Sequence, residues 1–150
     1  MAHPTCIRNT IHIQAPLKVV DRVITDQSLM HRWLNPALRC VPVGEWNTEV
    51  GGRSRFILQI PGLKPALDCS VVERAPGLVV WAFDGFFQGC DRWECQPTSL
   101  GTHLTNQFEF IVRNPLVAFG FQTFALGWTR QDMQAQLQRL KQVAESLPQA

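Results

Sequence analysis

Gly101-Thr102-His103-Leu104-Thr105-Asn106-Gln107-Phe108-Glu109-Phe110 is the stretch that decides the fold. Leu104, Phe108 and Phe110 fall on one parity, and His103, Thr105, Gln107 and Glu109 on the other. Successive strand side chains point to opposite faces, so this alternation predicts an antiparallel strand with one buried face. Asn106 shares the apolar parity. Working back along the chain, Trp93 and Cys95 alternate with Arg92 and Glu94, and Asp91 shares the parity of Trp93. Val79, Trp81 and Phe83 form a shorter apolar set. Leu67, Cys69 and Val71 stand against Asp68 and Ser70, and Phe56, Leu58 and Ile60 against Arg53, Arg55 and Gln59. Turn residues separate these runs at Gly51-Gly52, Pro61-Gly62, Ala75-Pro76-Gly77, Asp84-Gly85 and Ser99-Leu100-Gly101. Connections this short join hairpins rather than crossovers. An earlier strand over Thr5 to Gln14 places Ile7, Ile11 and Ile13 opposite Arg8, Thr10, His12 and Gln14.

Helices are expected at two places. Pro16 suits a first helical turn, with Val19, Val20, Val23 and Ile24 as its apolar side. Asp26 is the expected N-cap of a second short helix that carries Leu29, Met30, Trp33 and Leu34 and stops before Asn35-Pro36. At the far end, Met133, Leu137, Leu140, Ala144 and Leu147 recur at helical spacing. Gln134, Gln136, Gln138, Arg139 and Lys141 lie largely off that stripe, and Asn114-Pro115 reads as the helix start. The chain is therefore expected to be α+β, with about six to seven antiparallel strands and helix concentrated at 16–34 and 114–147.

Composition narrows the function classes. The 150 residues show no repeat, linker or low-complexity segment, which fits a single domain over 1–150. Charged residues make up 17%, against about 25% in a typical globular protein. The net charge is +2, and the fourteen Lys and Arg are dispersed, without the basic stripe that nucleic-acid binding needs. The longest apolar-rich stretch, Leu116 to Trp128, is shorter than the roughly 20 residues of a bilayer span. No signal peptide is visible after Met1, so a cytoplasmic protein is expected. Cys6, Cys40, Cys69, Cys90 and Cys95 are odd in number and lack C-x-x-C spacing, which favours free thiols over disulfides or zinc. Neither a Gly-rich phosphate loop nor a G-x-S-x-G elbow is present, so no cofactor or metal is expected.

The order of strand, two short helices, antiparallel strands and long C-terminal helix resembles the helix-grip fold of the SRPBCC superfamily. That superfamily includes START-like, Bet v 1-like and polyketide-cyclase-like proteins. The resemblance is carried by Ile11-His12-Ile13-Gln14-Ala15-Pro16, Trp33, Val50-Gly51-Gly52-Arg53, Val71-Val72-Glu73-Arg74-Ala75-Pro76-Gly77 and Leu137-Gln138-Arg139-Leu140-Lys141. It implies a curved sheet around the C-terminal helix, enclosing a cavity for apolar or aromatic molecules. Phe56, Leu58, Trp81, Phe83, Trp93, Leu104, Phe108 and Phe110 would line that cavity, with Met133 and Leu137 from the helix and Trp33 beside it. Asp91 and Asn106 would anchor a ligand hydroxyl or carbonyl, since a buried polar group must find a partner. Arg130 would meet an anionic ligand group if it continues the Met133-Leu137 side.

Three functions stay open at this point: binding or transport of a small hydrophobic molecule, a cyclase or dehydratase, and a co-chaperone-like interaction domain. Acid-base chemistry needs positioned proton-transfer groups. The chain has no Tyr, and His12 and His103 take the outer parity, which leaves His31 as the histidine to examine. Finally, Phe119, Phe121, Phe124, Leu126 and Trp128 cannot share one stripe about 100° wide. The 116–128 region therefore predicts a homodimer interface or pocket lid, unless the loops around Trp33 and Trp46 cover it.

Overall fold

The computed structural model describes residues 4–59, 66–85, 87–112 and 126–148. Strand β1 (Thr5–Ile13) leads into helices α1 (Leu17–Thr25) and α2 (Gln27–Trp33). Six strands follow: β2 (Leu38–Pro42), β3 (Arg53–Leu58), β4 (Ala66–Ala75), β5 (Leu78–Gly85), β6 (Phe87–Thr98) and β7 (Gly101–Val112). Helix α3 (Leu126–Ser146) completes the described chain. The strands form one seven-stranded antiparallel sheet in the order β1-β7-β6-β5-β4-β3-β2. This is the helix-grip arrangement anticipated above. His3, Ile60, Pro61-Gly62, Asn114-Pro115 and the 116–125 part of the aromatic segment lie outside the described residues.

Register converts the sequence parities into one continuous face. Ile7 of β1, Phe108 of β7, Asp91 of β6, Trp81 of β5 and Val71 of β4 are successive partners across the sheet. The next row toward the Gly101 hairpin runs Asn9, Asn106, Trp93 and Val79. On the other side, Phe110, Gly89, Phe83, Cys69 and Ser54 continue the same layer. His12 and His103 are partners on the opposite, outer face.

Local signals explain the helix ends. The Asp26 carboxylate accepts the Leu29 N–H at 3.1 Å, the side-chain cap its identity predicts. Pro16 sits one step earlier than expected, as the extended residue before α1 rather than inside its first turn. In α3 the buried side is Met133, Leu137, Leu140 and Ala144, joined by Val143. Full burial of aliphatic groups such as Leu140 contributes about 1.5–3 kcal/mol each. Gln136 corrects the expected polar face: it is buried, because its Nε2 donates to Asp132 Oδ2 at 2.9 Å.

Helix α3 packs against β1, α1 and α2. Its second half is tied to the end of β1, where Lys141 Nζ donates to the His12 carbonyl at 2.8 Å. Glu145 Oε2 accepts the Gln14 N–H at 2.7 Å. Nearer its start, Asp132 Oδ1 accepts from Asn35 Nδ2 at 2.7 Å, and Arg139 Nε donates to the Trp33 carbonyl at 2.9 Å. Helix α1 covers β6 and β7 near Cys95 and Leu104.

One irregularity changes a side chain's direction. Between Val71 and Glu73 the β4–β5 register shifts, so Val72 is the extra residue of a bulge. Beyond it, Arg74 rather than Glu73 lies opposite inward-facing Val79. Arg74 then forms a two-pronged pair with Asp21 of α1, Nη1 to Oδ1 at 2.7 Å and Nη2 to Oδ2 at 2.8 Å.

Candidate functional site

Asp91 is the fifth residue of β6, near the middle of the sheet and well inside the strand. Its two neighbours in the row are Trp81 and Phe108. Its carboxylate leans along the inner face, where Oδ1 accepts from Asn106 Nδ2 at 2.7 Å and Oδ2 from Trp93 Nε1 at 2.9 Å. Asn106 Nδ2 also donates to the Arg92 carbonyl at 3.2 Å, which fixes the amide's orientation. Asp91 and Asn106 therefore form one hydrogen-bonded unit, with Trp93 as its third member.

Burial disfavours the charged form of Asp91 and pushes its pKa up to about 6, although the bonds from Asn106 and Trp93 pull in the other direction. The folded chain consequently holds this proton where the unfolded chain, near 3.8, has lost it. For a raised carboxyl the favourable contribution is complete below about pH 4 and disappears as pH rises through about 6. The excursion is up to about 3 kcal/mol. Asp91→Asn removes it. The variant's stability relative to the wild type, followed by urea denaturation between those limits, should therefore rise with pH. A pH-independent difference would contradict this.

The surroundings are aromatic. Phe83 and Phe108 stack at 5.2 Å and 16° although they belong to strands separated by β6. Gly89, the β6 residue paired with Phe83 and Phe110, adds no side chain beside them. Phe108 contacts Phe110 at 5.0 Å, and Phe110 stacks on Phe87 at 4.9 Å. Trp33 reaches Trp93 at 5.2 Å, and its indole N–H donates to the Val23 carbonyl at 2.9 Å.

Exposure varies along this face. Leu104, Asn106, Phe110, Trp81, Phe83, Trp93 and Leu137 are buried, and Met133 is nearly so. Phe108 and Asp91 retain accessible surface despite facing inward from interior strands, as do Phe56 and Leu58 of β3. An inward-facing side chain on an interior strand keeps such surface only where the space before it is not filled. A groove of about 390 Å³ between edge strand β1 and α3 reaches the same layer, through Asn9, Ile11 and Leu137.

Sequence parity brought most of this set together, with exceptions. Arg130 is exposed on α3. Asn9 was missed, although it shares the parity of Ile7 and Ile11. It is the partner of Asn106, and its enclosed Nδ2 finds no acceptor among the described residues. His31 is employed structurally. Its Nε2 accepts the Cys40 N–H at 3.3 Å, so Nδ1 carries the proton donated to the Gln27 carbonyl at 3.0 Å. That tautomer pins α2 to β2.

Among the described residues no group of three His, Cys, Asp or Glu is placed to hold a metal ion. No described helix is long and apolar enough to cross a membrane. All five cysteines are free, with Cys40, Cys69 and Cys95 buried. Burial pushes the Cys40 and Cys95 thiols up to about 12 and Cys69 higher, so all three are neutral near pH 7.

Solved structures share the architecture. Protein CV1439 from Chromobacterium violaceum superposes with a TM-score of 0.73 at 20% identity, covering 95% of this chain and 99% of its own. TTHA0849 from Thermus thermophilus gives 0.76 at 16% identity, covering 93% and 97%. A protein from Rhizobium leguminosarum gives 0.74 at 17%, covering 98% of each chain. At such identities the likeness shows the fold. No curated protein matches the sequence. The family described as polyketide cyclase/dehydrase and lipid transport matches residues 4–145, and the chain belongs to that family.

Proposed function

We propose that this chain binds a small hydrophobic molecule between the sheet and α3, with a polar group of the ligand at the Asp91–Asn106 pair. The observation that carries this reading is the surface left on Phe108 and Asp91, which face inward from interior strands. Aromatic walls supply most of the contact area, and a few convergent polar atoms set orientation, which is the usual anatomy of such sites. The neutral probe N-phenyl-1-naphthylamine should bind saturably at one equivalent and quench tryptophan emission, because Trp81 and Trp93 lie on the same face. A well-folded protein whose emission is unchanged at saturating probe would refute the reading.

One observation favours a second reading, a cyclase- or dehydratase-like enzyme. Asp91 is a carboxyl whose pKa, raised to about 6, lies close to the range useful for proton transfer. In that reading Asp91 moves the proton, while Asn106 and Trp93 hold its carboxylate in place. Turnover of an enolisable polyketone that Asp91→Asn abolishes, with probe binding retained, would select the enzyme. Equal turnover by the variant would reject it.

A further inference from the structure

Among the described residues the Asp91 carboxylate has no counter-charge. Asn106 and Trp93 orient Asp91, but both are neutral donors and leave its negative charge uncompensated. Among the described residues no Lys, Arg or His lies on the inner face free to approach it. Arg8, His12, Arg92, His103, Arg39, Arg53 and Arg55 take the outer parity. Arg74 turns inward past the bulge and is held by Asp21. Arg139 and Lys141 of α3 are bonded to the Trp33 and His12 carbonyls.

The surrounding groups reinforce that charge. Trp81 and Phe108 flank Asp91, Phe83 stacks on Phe108, and Trp33 lies against Trp93. Aromatic ring faces carry negative potential and attract cations, more strongly where water is excluded. A carboxylate with aromatic neighbours complements a positive charge on an apolar body.

Resting on the cavity reading above, we propose that the polar end of the ligand is an organic cation, a quaternary ammonium or protonated amine, neutralised by Asp91 within the tryptophan and phenylalanine rings. The rise of the Asp91 pKa to about 6 fits a carboxylate awaiting its counter-ion. Around Asp91 lie Trp81 of β5, Trp93 of β6, Phe108 and Asn106 of β7 and, near enough to feel its charge, Cys69 of β4. Of these only Cys69 titrates, and burial keeps its thiol neutral. Cation affinity should therefore follow ionisation of Asp91, strengthening as pH rises through about 6 and then levelling.

The test is calorimetric titration with phenethyltrimethylammonium and its neutral isostere (3,3-dimethylbutyl)benzene. At about pH 8 the cation should bind at least about tenfold more tightly than the isostere. The advantage should shrink by about tenfold near pH 5 and vanish in Asp91→Asn. Equal or tighter binding of the isostere by the wild type, or a preference that persists at low pH, overturns the cation proposal and leaves the cavity standing. Failure of both compounds to bind well-folded protein removes the cavity reading and this proposal with it. The pH comparison uses the wild-type chain, so the proposal remains testable if Asp91→Asn is unstable.

Discussion

Replacing Asp21 by alanine is expected to cost about 3–5 kcal/mol of folding stability, measured by urea denaturation. Both Asp21 oxygens engage the Arg74 guanidinium, and Oδ1 also accepts the Gly77 N–H at 3.1 Å. The pair is mostly shielded, with 13% and 20% of the side-chain surfaces exposed, so solvent screens it weakly. Arg74 has further bonds to the Ala75 and Leu78 carbonyls that hold it in place. Removal of the carboxylate would strand its charge there, with Nε already lacking a partner. Asp21→Ala combined with Arg74→Met should recover part of the loss, because no charge is then left unpaired. A single-variant cost below about 1 kcal/mol would mean that the pair behaves like an exposed surface bridge.

Gly89→Ala should be as damaging, costing about 3 kcal/mol or more. An added Cβ would press on the Glu109 carbonyl oxygen and lie 2.7 Å from Phe110 Cα. Both obstacles are backbone of the partner strand, which cannot rotate aside, so β6 and β7 must part locally. Lowered stability together with altered tryptophan emission is the expected signature. Wild-type stability in this variant would contradict the close approach of the two strands.

Periodicity within one segment reveals a strand and its buried side, but not which strand pairs with it. The alternation from His103 to Phe110 revealed the strand, its buried side and the inward aim of Asn106, because period-two patterning is a property of one segment. Asp91 was legible in the same way from Trp93. Their union was not, since it depends on a register that sets Asn106 opposite Trp93 and Phe108 opposite Asp91. The Val72 bulge was equally hidden. Val71-Val72-Glu73-Arg74 reads as uninterrupted strand, and only pairing with β5 shows that Arg74 turns inward. The role of His31 required knowing that β2 passes beside α2. Asn9 is different, because its parity with Ile7 and Ile11 is legible in the sequence itself.

The proposed cavity requires unfilled space before Phe108. The most direct measurement compares N-phenyl-1-naphthylamine affinity and urea stability in the wild type and in Phe108→Trp. An open cavity accepts the larger ring, so stability should change by less than about 1 kcal/mol while probe affinity falls about tenfold. A filled core gives the opposite result: Phe108→Trp would lose about 1–3 kcal/mol to overpacking, and the wild-type protein would bind no probe.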